Sequence, residues 1–152
     1  FFKKYYSNLN GVNSRLDEIN SKILDFKLKK IDKYIKKRRA IAYIYDKELK
    51  GTSLKLPLKN KDFFDVYHLY TVYHSKRDNI IKRLNKKSIQ TRIIYPYPIH
   101  KMKAYEKIKR FGALNNTEKF SKGIFCIPLY PDLKLKDALK VCKHFNNYMK
   151  NT

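Results

Sequence analysis

From Leu16 to Leu49 apolar residues recur at steps of three and four for most of the stretch: Leu16, Ile19, Ile23, Phe26, Ile31, Tyr34, Ile35, Ile41, Ala42, Tyr45 and Leu49. That period marks one face of an α-helix, and no proline interrupts it before Gly51 closes it. A helix of about 35 residues would run about 50 Å at 1.5 Å per residue. A chain of 152 residues does not need that length for its own core. The stripe is broader than a heptad seam, and its charges are mostly Lys rather than alternating pairs, so a coiled coil is not the expected form. The expectation is a helix that bridges two bodies. The opening FFKKYYSNLNG, which starts on Phe1 and shows neither a cap nor a clear period, fits a piece of a larger fold.

Beyond Gly51 the pattern changes. FFDVYHLYTVY, residues 63–73, alternates and is rich in aromatic and β-branched side chains, which predicts a strand with His68 packed within it. Ser75 with Asp78 has capping-box spacing ahead of Ile80, Ile81 and Leu84, so a short helix follows. IQTRIIY, residues 89–95, reads as a second strand, and Pro96 and Pro98 hold the next loop extended. Thr117 can cap a short helix ending at Gly123, and IFCI, residues 124–127, reads as a third strand. The last helix, roughly residues 135–149, places Leu135, Ala138, Cys142, Phe145 and Met149 on one face. The order predicts an α+β arrangement: a long helix, then a small antiparallel three-stranded sheet with helices on one side.

The formal net charge of +23 comes from 36 Lys+Arg against 13 Asp+Glu. Such an excess ordinarily indicates nucleic acid or an anionic surface. Here it is almost all Lys, spread over every predicted helix beside an excess of Asn, Ile, Tyr and Phe, as in chains encoded by A/T-rich DNA. Arg, which reads bases bidentately, is scarce. A basic nucleic-acid-binding module therefore stays only as the alternative. Cys126 and Cys142 lie in apolar segments without metal or redox spacing and read as buried free thiols, which fits a cytoplasmic protein. No stretch approaches the roughly 20 apolar residues of a membrane span.

GVNSRLDEINSKIL, from residue 11, lines up Asn13, Ser14 and Arg15 where the long helix begins. Ser14 and Asp17 have capping-box spacing, which leaves Asn13 and Arg15 over. A helix start flanked by an amide and a guanidinium suits phosphate or carboxylate, although most caps bind nothing. The stretch resembles the G-x-N-S-R-L/M-D-E-I-Q-A-A-I-L segment of the DegT/DnrJ/StrS family of pyridoxal-phosphate-dependent sugar aminotransferases. KLKKIDKYIKKRRAIAYIYDKEL, VYHLYTVYHSKRDNIIKRLNKKSIQTRIIYPYPIHKMKAY and IPLYPDL resemble later parts of that family, in its order and spacing.

The resemblance implies the C-terminal part of an α/β transferase of fold type I. Residues 1–52 would end the large domain and form the bridging helix, and residues 53–152 would form the small domain. It implies a homodimer with active sites at the interface, in which Asn13 reaches the phosphate of pyridoxal 5'-phosphate held by the partner subunit. Arg15 would be a structural tie or line the shared site. YPYPIH resembles the H-Y-P-x-P-x-H stretch bordering the nucleotide-sugar site, so Tyr95 and His100 become candidate substrate-binding residues. Ile94 replaces the first His, which removes a His contact there. For His100 the residues alone indicate a loop histidine bonded to nearby backbone. The implied reaction aminates a nucleotide-linked keto-sugar with glutamate as donor. No catalytic or metal-binding residue is assigned to this chain, because the Schiff-base lysine of the family precedes it in order. A truncated, non-catalytic remnant of the family is the remaining alternative.

Overall fold

A computed structural model describes residues 6–9, 11, 16–108 and 112–150. Asn13, Ser14 and Arg15 lie outside the described residues. The predicted long helix is two helices, α1 (Glu18–Leu28) and α2 (Ile31–Glu48). Asp17, not Ser14, occupies the N-cap of α1, where its carboxylate accepts from the Asn20 backbone N–H at 2.8 Å. The interruption at Lys29 and Lys30 has a physical cause that apolar spacing does not reveal. Lys27, Lys29, Lys30 and Lys33 repel one another at three- and four-residue separations. In addition α1 buries none of its residues, so no packing holds the two helices in one register.

The sheet is smaller than predicted. β1 (Tyr70–Tyr73) pairs antiparallel with β2 (Ile124–Ile127), with Tyr70 opposite Ile127 and Val72 opposite Phe125. The strand predicted over residues 89–95 is reduced to one bridge, in which Arg92 and Cys126 exchange backbone bonds of 3.1 and 2.8 Å. Ser88 and Tyr95, both at φ +57°, end the extended run on either side. Lys55 makes a matching single bridge to Tyr73 on the opposite edge. The named sheet is therefore two-stranded rather than three-stranded.

The strand predicted over residues 63–73 forms only at its end. Tyr67 sits at φ +47°, which breaks the alternation. Arginines of α2 occupy the carbonyls a ladder would use. Arg39 donates to Asp65 O at 2.6 Å, while Arg38 donates to Tyr67 O at 3.2 Å and His68 O at 2.8 Å. Arg39 also lies over the Phe64 ring, 4.1 Å from its centroid. His68, expected within a strand, is exposed.

α3 (Arg77–Asn85) starts without the predicted Ser75 cap. Just ahead of the helix, His74 Nδ1 accepts from the N–H of the N-cap residue Lys76 at 2.9 Å. Burial, with Lys76 nearby, lowers the pKa of His74, which favours the neutral ring needed to accept. α4 (Asn115–Gly123) begins before Thr117 and has no side-chain cap bond, but ends at Gly123 as predicted. α5 (Leu135–Lys150) buries Ala138, Val141, Cys142 and Phe145, whereas Leu135 in its first turn is exposed.

One core joins these elements. Ile41, Ala42, Tyr45 and Leu49 of α2 and its end meet Tyr70, Val72, Phe125, Ile127, the α3 residues Ile80 and Leu84, and the buried face of α5. Tyr45 keeps its hydroxyl inside by donating to Pro128 O, and Tyr70 donates to Asp46 Oδ1 at 2.7 Å. Lys59 completes Asp46 from the other side at 2.7 Å. Phe120 of α4 packs against Tyr73, whose side chain alternates to the face opposite Tyr70 and Val72. Helices therefore reach both faces, not one. Both cysteines are free and buried, as expected, and burial pushes the Cys142 thiol up to about 12. Among the described residues no helix is long and apolar enough to cross a membrane.

Candidate functional site

The loop after Arg92 carries both described candidates, Tyr95 and His100. Pro96 and Pro98 restrict their own φ and that of their neighbours. The chain then tightens into two single 3₁₀ turns, Ile99–Lys101 and Lys103–Tyr105. Tyr95 is 74% exposed and sits in the left-handed region ahead of Pro96, a sparsely populated conformation.

His100 has a different setting. Its side chain is 11% exposed, and Nε2 lies 3.0 Å from Glu118 Oε1 on α4. Lys101 Nζ donates to Glu118 Oε2 at 2.7 Å. One carboxylate thus grips two consecutive residues of the loop. Hydrogen bonds from Lys101 and then His100 hold the Glu118 carboxyl down to about 2, from an ordinary 4.5.

Because the folded value is the lower one, this contribution is fully present above the unfolded carboxylate pKa and is lost as pH falls through the folded value. Backbone NMR signals of residues 99–105 should show an acid transition between pH 4.5 and about 2. In Glu118→Gln that transition should be missing. An unchanged titration in the variant would show that Glu118 does not hold the loop.

The loop's other side meets the N-terminal segment. Tyr6 and Tyr97 pack edge to face with ring centroids 5.5 Å apart. The Lys103 N–H donates to the Tyr6 hydroxyl at 3.2 Å, and the Ala104 N–H donates to Ser7 O at 3.1 Å. The stretch a few residues ahead of Asn13 is therefore docked on the loop that carries Tyr95 and His100. Asn13 and Arg15 themselves lie outside the described residues.

The two anchors, Glu118 and the Tyr6–Ser7 pair, were not legible as site residues. The available signal was charge scarcity: with 13 acids among 36 Lys+Arg, each acid has many possible partners, and one beside a loop is a candidate anchor. Chemically the loop offers an exposed phenol and lysine ammonium groups, which suits binding and orienting a polar, anionic molecule. Among the described residues no group of His, Cys, Asp and Glu is placed to hold a metal ion.

Residues 1–146 match the family model of the DegT/DnrJ/EryC1/StrS aminotransferase family. A dTDP-3-amino-3,4,6-trideoxy-alpha-D-glucose transaminase of Micromonospora megalomicea subsp. nigra is 38% identical over 135 residues, covering 85% of this chain and 36% of that protein. A dTDP-3-amino-3,6-dideoxy-alpha-D-galactopyranose transaminase of Aneurinibacillus thermoaerophilus is 34% identical over 146 residues, covering 96% of this chain and 40% of that protein. Among solved structures, S. venezuelae DesV in complex with a ketimine intermediate superposes with a TM-score of 0.83 at 32% identity, over 97% of this chain and 40% of that one. The chain spans 36% and 40% of the length of the two curated relatives.

Proposed function

This chain belongs to the DegT/DnrJ/EryC1/StrS aminotransferase family, and on that premise we propose that it is the C-terminal portion of a fold type I enzyme that aminates a nucleotide-linked keto-sugar, with glutamate as donor. In this reading residues 1–52 close the large domain and residues 53–152 form the small domain. The active sites lie at a homodimer interface, and this chain by itself is inactive. The observation that carries the reading is the docking of Tyr6 and Ser7 on the 97–104 loop, in a chain matched over residues 1–146. It puts the segment leading to Asn13 beside the loop of Tyr95 and His100.

Pyridoxal 5'-phosphate, when bound, supplies the electron sink for exchanging amino and keto groups. In this reading the chain supplies the rim of its site rather than the acid that pairs with its ring. The carboxylate of Asp46 is engaged by Tyr70 and Lys59, and that of Glu118 by His100 and Lys101, so neither is left to pair with a pyridinium nitrogen. The Schiff-base lysine and that acid belong to a preceding part of the protein. The role of this chain is to bind and orient. Asn13 donates its amide N–H to the phosphate in the partner subunit, Arg15 lines or ties the shared site, and Tyr95 and His100 border the nucleotide-sugar.

Asn13→Ala in the complete protein tests this. Loss of one hydrogen bond to a charged group, about 1.5–3 kcal/mol, should weaken pyridoxal phosphate binding by about 10- to 100-fold in a fluorescence titration. Unchanged affinity would remove Asn13 from the cofactor site. A complete protein that forms no amino-sugar from glutamate and nucleotide-linked keto-sugars would remove the transaminase assignment.

A further inference from the structure

The 92–101 segment is fixed at both ends, and Tyr95 stands exposed between them. At one end Arg92 exchanges both backbone bonds with Cys126 of β2. At the other, His100 and Lys101 converge on the two oxygens of Glu118. Glu118 lies in the first turn of α4, where a negative charge is also favoured by the helix dipole. α4 runs directly into β2, so both anchors belong to one continuous piece of chain, Asn115–Ile127. Tyr95 sits between them, with its backbone in the left-handed region and its ring turned to solvent.

Without Glu118 the loop would keep the Arg92–Cys126 bonds and the Tyr6 and Ser7 contacts, but its His100–Lys101 arm would spread over more positions. Confinement matters for a residue that must meet a ligand, because ordering it beforehand removes an entropic cost from binding. We propose that Glu118 is a positioning residue for substrate. It acts through His100 and Lys101 to hold the loop so that Tyr95, rather than His100, meets the sugar nucleotide. The inference rests on the reading that this loop borders the substrate site. It assigns different work to the two candidates: His100 is an anchor, and Tyr95 is the contact.

The test uses the complete protein, with Glu118→Ala, Glu118→Gln and Tyr95→Phe, steady-state kinetics and amide hydrogen exchange over residues 97–105. Glu118→Ala should fold, since its side chain is about a third exposed and outside the core. It should speed exchange in the loop and raise KM for the nucleotide-linked sugar about tenfold, with kcat and KM for glutamate within about twofold. Glu118→Gln, which keeps one acceptor oxygen for Lys101 and can offer an amide N–H to the His100 ring nitrogen, should recover part of that loss. Tyr95→Phe should raise the same KM without changing exchange.

Faster exchange with an unchanged sugar KM in Glu118→Ala, while Tyr95→Phe still raises it, would overturn the positioning role and leave the loop at the substrate site. Unchanged KM in both variants would overturn the border reading and the proposal with it. A general fall in kcat with equal rises in both KM values would mark Glu118 as merely structural.

Discussion

Phe145→Ala should cost about 3–5 kcal/mol, the range for removing a buried aromatic side chain and leaving a cavity. Phe145 is fully buried on α5, its ring stacked on Phe125 of β2 with centroids 6.4 Å apart. That stacking joins α5 to the sheet, and α5 also packs on α2. Domains of this size are stable by about 5–15 kcal/mol in total, so the loss would take a large share and could detach α5. Urea denaturation should show the midpoint falling steeply for Phe145→Ala and much less for Phe145→Leu, which keeps most of the volume. Leu139→Ala on the half-exposed side of the same helix should stay within about 0.5 kcal/mol. Equal effects at 139 and 145 would contradict the burial pattern.

That contrast also shows what the sequence made readable. α5 was legible because Ala138, Cys142 and Phe145 repeat at helical spacing, so period alone decides which face goes inward. β2 was legible because four consecutive apolar residues between Gly123 and Pro128 leave little else to form. The strand over residues 63–69 was misread for a non-local reason. Its alternation is real, but Arg38 and Arg39, far earlier in the chain, capture its carbonyls before a neighbouring strand can. The break between α1 and α2 was hidden likewise, since no glycine or proline marks it, and that α1 buries none of its residues shows only in the fold.

At the candidate site, Tyr95 and His100 were found through resemblance to a motif. Their division into an exposed crest and a held anchor depends on Glu118, 18 residues beyond His100, which no local pattern connects to the loop. Helix caps were misread in two ways: at α1 Asp17 caps in place of Ser14, and at α3 and α4 no side chain caps. Ser75 and Thr117 have the right type and spacing, but neither helix uses a side-chain cap of its own. Just ahead of α3 the ring nitrogen of His74 accepts from the Lys76 N–H.

Gly123→Ala should destabilise the fold by about 2–3 kcal/mol, even though alanine is the better helix former. Alanine at the end of α4 would gain up to about 1 kcal/mol from propensity, and a further fraction from reduced freedom of the unfolded chain. The opposing effect is steric. A Cβ at Gly123 would collide with the edge of the Tyr73 ring and come to 2.8 Å from the His74 carbonyl oxygen. The ring cannot simply swing aside, because Phe120 packs against it at 5.1 Å and Lys55 lies 5.6 Å from its centroid. Nor can the backbone retreat freely, since the His74 N–H donates to Gly123 O at 3.1 Å and ties the end of β1 to the start of β2. The collision therefore outweighs the helical gain, and relief comes through displacement of α4. Because α4 carries Glu118, that displacement should also loosen the 97–105 loop. Gly123→Ala is thus expected to combine a lowered denaturation midpoint with faster amide exchange in a loop whose crest lies 28 residues away in sequence. A raised midpoint would show that Tyr73 yields at little cost, and normal exchange in the loop would show that α4 holds its place without help from the glycine.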